Sequence, residues 1–195
     1  MTQPSDALSR APHLKNLGGA FRIVGWISFW IKLVLAVVSG VTVLFAFFGR
    51  ASNPNQAGSP LSGLGMLFTV GGILFLGVSV YWSFHYARWG RKFLAPTGSS
   101  QPSKAGTLKL IKTVLLTDLL GILVTVLGGE WLVGAIIGKA ISQGVAVFSL
   151  NPNQLVEPID LFVIQACINT IAGLFAGVVA TLWLLQRTTQ QRPAG

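Results

Sequence analysis

The chain has 195 residues, 52% of them hydrophobic and only 10% charged, with a mean hydropathy of +0.67. That balance is too apolar for a soluble domain, and a single cysteine, Cys167, excludes an internal disulfide and a thiolate zinc cluster. A net charge of +9 signals nucleic acid or anionic partners only if the placement of the cations supports it.

Residues 1–20 read as a polar tail, followed by a membrane domain over 21–187 and a short C-terminal tail over 188–195. The membrane domain contains four long apolar runs, Ile23–Phe48, Leu64–Ala87, Leu108–Leu127 and Leu161–Leu185, and none of the nine prolines falls inside them. Proline removes a backbone donor and breaks a helix, so its absence marks the runs as uninterrupted helices. Runs of about 20 residues or more, at 1.5 Å rise each, cross a hydrocarbon layer of about 30 Å. The expected fold is therefore all-α and polytopic, with four transmembrane helices.

The first run is longer than the apolar core of a secretory signal, and no small-residue cleavage motif follows it, so it is expected to stay as a span. The lack of a long Ser- and Arg-rich transit segment points to a bacterial type of protein. Residues 49–63, GRASNPNQAGSPLSG, have loop composition, as does the stretch around 90–106. Residues 131–148 have nearly the length of a fifth span, but Lys139, Ser142 and Gln143 interrupt them. A fifth crossing would put Arg187 and Arg192 outside, against the charge rule, so a re-entrant or interfacial helix is expected there. Its Gly134–Gly138 spacing would suit close packing on a neighbouring helix.

The cations follow this topology. Arg10, Lys15, Arg22, Arg88, Arg91, Lys92, Lys104, Lys109, Lys112, Arg187 and Arg192 fall on one side, and only Arg50 and Lys139 fall on the other. Basic residues gather on the cytoplasmic side, so both termini are expected there. Trp26, Trp30, Tyr81, Trp82, Tyr86, Trp89 and Trp183 mark the same boundary, as amphipathic rings do. The charge thus needs no nucleic-acid partner, while anionic lipid headgroups would favour the basic face.

Polar residues inside the spans are the candidate site. Lys32 and Asp118 lie roughly 12–15 Å in from the inner side, and Asn169 a comparable distance from the outer side. An ionisable residue at that depth normally faces the bundle interior or a wet cavity. Small and polar residues recur at helical spacing around each: Gly25, Ser28, Lys32, Ala36 and Ser39; Thr69, Gly72, Ser79 and Ser83; Asp118, Gly121, Thr125 and Gly128; Gln165, Asn169, Gly173, Gly177 and Thr181. These four faces are expected to meet, with Gly72, Gly121, Gly173 and Gly177 as packing positions. Lys32, Asp118, Gln165 and Asn169 either line a substrate path or, structurally, neutralise and tie the helices. Glu130, Glu157 and Asp160 are hard oxygen ligands that could capture a cation on the outer side, or simply solvated loop charges. No Walker loop, dinucleotide fingerprint, HExxH or haem motif is present, and His13 and His85 lack a nucleophile beside them. Neither an enzyme nor a cofactor is expected.

GWISFW at Gly25–Trp30, LLGxxxTxLGxExxVGxxxxKAISQ over Leu119–Gln143, and DxFVxQAxxNT with LWLL over Asp160–Leu185 resemble the permease-in-chloroplasts family. The likeness covers nearly the whole membrane portion. Plant members sit in the chloroplast inner envelope, and the family has been described both as an iron permease and as a component of protein-import machinery. By resemblance, Glu130, Lys139, Asp160, Gln165 and Asn169 are family-typical. The family commonly carries Gln where this chain has Lys32, and an Asn and a His where it has Ile168 and Gly173. The resemblance thus implies a small permease or transporter subunit for iron or another metal ion, or a non-transporting assembly subunit of a membrane complex such as a translocon. The implied partners are membrane lipids, further copies of the chain or other subunits, and the implied home is a bacterial inner or thylakoid membrane of cyanobacterial type.

Overall fold

The computed structural model describes the backbone of residues 4–52, 60–94, 104–142 and 158–189, and the side chains of 19, 21–49, 63–85, 88, 106–138, 141 and 160–188. The described residues form four helices: α1 (Pro4–Ser52), α2 (Pro60–Leu94), α3 (Lys104–Ser142) and α4 (Pro158–Thr189). Three of them begin on a proline, which has no amide hydrogen to lose at the first helical position and already holds helical φ. Each helix contains one segment long and apolar enough to cross a membrane: Phe21–Gly49, Gly63–His85, Gly106–Gly138 and Asp160–Thr188.

The helices form a ring in which α1 packs on α2, α2 on α3, α3 on α4 and α4 back on α1, with α2 and α4 also touching across the centre. Phe21 at the start of the first span clusters with Ile111 early in α3 and Leu184 late in α4, and Trp82 late in α2 packs against them. At the other end Ala46, Leu132 and Val163 cluster. Successive helices are therefore antiparallel, and Arg22, Arg88, Lys109, Lys112 and Arg187 share one basic end.

Burial follows a seven-residue repeat. On α3 the buried positions are Thr107, Ile111, Val114, Asp118, Gly121, Thr125, Gly128, Leu132 and Ala135, spaced alternately by four and three. On α2 they are Gly65, Thr69, Gly72, Leu76, Ser79 and Ser83. A 3.5-residue period falls short of the 3.6 of a straight helix, so keeping it on one seam imposes a left-handed supercoil. The outside of the bundle is apolar: Leu116, Leu119, Leu120 and Leu123 on α3 and Val34, Val37, Val38 and Val41 on α1 are all exposed. Lipid tails suit that surface, and Lys32, Ser79 and Asp118 lie within.

Three buried threonine hydroxyls are satisfied within their own helices. Thr69, Thr125 and Thr170 donate to the carbonyls of Gly65, Gly121 and Ala166 four residues earlier, at 2.8, 2.7 and 2.8 Å. Close helix approach needs small residues at a few contacts. A Cβ on Gly72 would run into the Thr125 hydroxyl, and one on Gly121 would sit 2.8 Å from Phe75 Cβ and 2.9 Å from Leu174 Cδ1.

At the basic end aromatic rings form a belt. Trp26 stacks on Trp30, Phe29 meets Phe84, and the His85 ring lies against Tyr81 and Trp82. The Arg88 guanidinium lies 5.5 Å from the Phe84 ring centre and that of Arg187 4.8 Å from the Trp183 ring. His85 is thus an interfacial ring.

One expectation is corrected. Residues 131–142 form no separate interfacial or re-entrant helix but continue α3 without a break. Leu132 and Ala135 stay on the buried seam, whereas a Cβ on Gly134 or Gly138 would meet nothing within 4 Å. Lys139, Ser142 and Gln143 interrupt the apolar stretch in sequence, yet a helix can carry polar residues beyond the hydrocarbon layer without ending. Residues 143–148 of that stretch lie outside the described residues.

Candidate functional site

Three helices bring one polar side chain each to a single point inside the bundle. Lys32 on α1 is 1% exposed and Asp118 on α3 is 0% exposed, so neither reaches water by extending its stem. Lys32 Nζ lies 3.2 Å from Asp118 Oδ2 and 3.4 Å from Oδ1. Ser79 on α2 closes the ring: Lys32 Nζ donates to Ser79 Oγ, and Ser79 Oγ donates to Asp118 Oδ1. The serine hydroxyl thus accepts from the cation and donates to the anion, aligned with the field between them.

The fourth helix contributes an absence of side chain. A Cβ on Gly177 would collide with Lys32 Nζ and Cε and with Asp118 Oδ2. Gly177 lets the α4 backbone cover the pair and seal it from lipid. Two charges in a low-dielectric interior must neutralise one another, because removing one leaves the other uncompensated at a cost of about 3–5 kcal/mol. Lys32 is ten residues from Arg22, about 15 Å, and seventeen from Gly49, about 25 Å, so the triad lies in the basic-end half of the bundle.

The remaining candidates separate from it. Gln165 is exposed and Asn169 half-buried on the outer flank of α4, where Gln165 Nε2 donates to Asn169 Oδ1 at 3.1 Å. Asn169 is eight residues from Gly177, about 12 Å along the axis. The expected α4 face therefore divides: Gly173, Gly177 and Thr181 are buried, while Gln165 and Asn169 turn away. A strict four-residue step advances about 40° each time on a helix of 3.6 residues per turn, so three steps carry Gln165 about 120° off the Gly177 line. The buried seam instead alternates three and four through Val163, Ala166, Thr170, Gly173 and Gly177, with one further step of four to Thr181.

On the outer side Asp160 is buried in the first turn of α4, Glu130 is exposed on α3, and Glu157 lies outside the described residues. Among the described residues no three His, Cys, Asp or Glu side chains gather as a metal site. Gly72, Gly121 and Gly173 all occupy helix contacts, the last with Leu76 Cδ1 3.0 Å from where its Cβ would be. Cys167 is buried with its sulfur 3.2 Å from Thr69 Oγ1, a packing contact between α2 and α4.

Ser79 is the site residue that sequence reasoning placed on the right face without giving it a role. A serine in a span by default bonds its own helix carbonyl, as Ser83 does to Ser79 O at 3.0 Å. Only the approach of Asp118 and Lys32 redirects the Ser79 hydroxyl across the bundle.

A family model described as "Protein of unknown function (DUF3611)" matches residues 11–189. The chain belongs to that family. It is also 29% identical over 184 residues to "Protein TIC 21, chloroplastic" of Arabidopsis thaliana, a match covering 92% of this chain. The chain spans about 60% of the length of that relative. The resemblance to the permease-in-chloroplasts family drawn from the span motifs therefore holds. No solved structure matches.

Proposed function

We propose that this protein is a non-enzymatic permease subunit that carries iron or another metal cation across its membrane and works as an oligomer. The observation that supports this most is the buried Lys32–Ser79–Asp118 triad, because ionisable groups sealed in a membrane interior are costly and normally serve transport. Two carboxylate oxygens and a hydroxyl are hard donors of the kind that metal cations take. In this proposal the Lys32 ammonium is a tethered stand-in for the passing ion: it neutralises Asp118 when no cargo is there and must swing aside when one arrives. In this reading the basic end of the bundle and both termini face the cytoplasmic side of a bacterial inner or thylakoid membrane, which the gathering of cations at one end supports.

A second reading, a non-transporting assembly subunit, is favoured by one specific observation. Every polar atom of the triad is engaged within the bundle, as in a structural clasp, and an amide pair faces outward from α4. Flux of radioactive iron into liposomes carrying the purified protein separates the two. Lys32→Met/Asp118→Leu replaces the ion pair by apolar groups of similar size and should preserve the fold. A permease loses its flux in this variant. Flux at the wild-type level in the variant, or its absence in the wild type reconstituted alone, overturns the permease proposal.

A further inference from the structure

One flank of α4 carries two amides on the outside of the bundle. There Gln165 and Asn169 stand about five and nine residues inside the span, roughly 7–14 Å beyond Asp160, where lipid tails would surround a lone bundle. Their mutual bond uses only the Gln165 amide nitrogen and the Asn169 carbonyl. Among the described residues nothing else engages the Gln165 carbonyl or the Asn169 amide nitrogen. An amide group left without partners in hydrocarbon is strongly disfavoured, so a protein group must cover this flank.

The flank also has the geometry of a helix seam. Gln165, Asn169, Ala172, Ala176 and Val179 are spaced by four, three, four and three, the same seven-residue rhythm as the buried face of α4 but displaced around the helix. Ala172 is exposed and Ala176 half-buried, and their small side chains let a second backbone come close. By contrast, the stretch of α3 from Leu116 to Leu123 exposes only leucines and that of α1 from Val34 to Val41 only valines, which ask for nothing but lipid.

We infer that the Gln165–Asn169–Ala172–Ala176 flank of α4 is the interface between two copies of this chain. The occupant follows from the chemistry of the amide, which both donates and accepts. The outward carbonyl of Gln165 and the outward amide nitrogen of Asn169 on one copy are complementary to the same two groups on another, twice over, across a two-fold axis. Copies inserted with one orientation present α4 parallel to α4, with that axis along the membrane normal. This names the surface for the self-association proposed above, and it stands whether or not a cation is carried.

Cysteine cross-linking in native membranes tests it. Ala172→Cys should oxidise to a dimer of twice the monomer mass several-fold faster than Val37→Cys on α1 or Leu120→Cys on α3, with wild-type Cys167 buried and silent. Gln165→Leu/Asn169→Leu, at positions where leucine suits lipid, should raise the dimer dissociation constant in micelles at least about tenfold, since the interhelical polar contacts are lost. The swap Gln165→Asn/Asn169→Gln should keep the dimer. Cross-linking at Ala172→Cys no faster than at the control faces, cross-linking only to a protein of different mass, or an undiminished dimer in the leucine variant would each overturn the inference. Iron flux is read separately, so a failed permease and a failed interface give different results.

Discussion

The Lys32–Ser79–Asp118 triad and the Gln165–Asn169 pair both lie within the spans, and the fold treats them in opposite ways. Lys32, Ser79 and Asp118 come from three helices, are buried, and answer one another completely within the chain. Gln165 and Asn169 come from one helix, face outward, and answer only each other. Charge explains the difference. An ammonium and a carboxylate cannot stand unpaired in hydrocarbon, so they must meet inside the unit that folds and inserts. Amides carry no net charge, tolerate partial exposure until assembly, and gain directional bonds when a second helix arrives. The first group ties three helices of the bundle together, and the second is the surface proposed to meet a further copy.

The contrast can be broken most severely at the charges. Asp118→Asn alone should lower stability by about 3–5 kcal/mol, because the Lys32 ammonium stays buried without its anion; reversible unfolding in mixed micelles measures this. Gln165→Leu, by comparison, should leave the stability of the isolated bundle within about 0.5 kcal/mol of wild type, as surface substitutions usually do. Next in size is Gly177→Ala, whose methyl group would push the ion pair apart, with an expected loss of about 3 kcal/mol. Gly121→Ala should cost about 1–3 kcal/mol through contacts with Phe75 and Leu174, and it should leave the triad intact. Among the buried positions the smallest loss is that of Ser79→Ala, at about 1–2 kcal/mol: it removes one bond in each direction, but Lys32 still reaches Asp118 directly. A Ser79→Ala loss as large as that of Asp118→Asn would mean that the serine is the keystone of the triad.

Much of this was legible in the chain. The four spans follow from apolar runs free of proline. The Lys32–Asp118 meeting follows from matched depth and from the small residues flanking each, since a charge in a span must find its opposite. The buried faces of α2 and α3 also follow, because Thr69, Gly72, Ser79 and Ser83 step by three, seven and four, and Asp118, Gly121, Thr125 and Gly128 by three, four and three, all steps along the same kind of seam. The α4 face misleads for the same geometric reason in reverse: Gln165, Asn169, Gly173, Gly177 and Thr181 repeat strictly at four and drift around the helix. Glu130, Lys139, Ser142 and Gln143 look like the limits of a separate element, whereas α3 runs on to Ser142. Polarity marks where hydrocarbon ends; it does not mark where a helix ends. The role of Ser79 depends on which side chains of other helices approach its hydroxyl, and no local pattern encodes that.

The most direct test is a double-mutant cycle on Lys32→Met and Asp118→Leu, read as unfolding free energy. If the two charges neutralise one another in a dry interior, each single variant loses about 3–5 kcal/mol and the double variant is more stable than either. Losses that simply add in the double variant would contradict it, because two side chains that contribute independently do not form a buried pair.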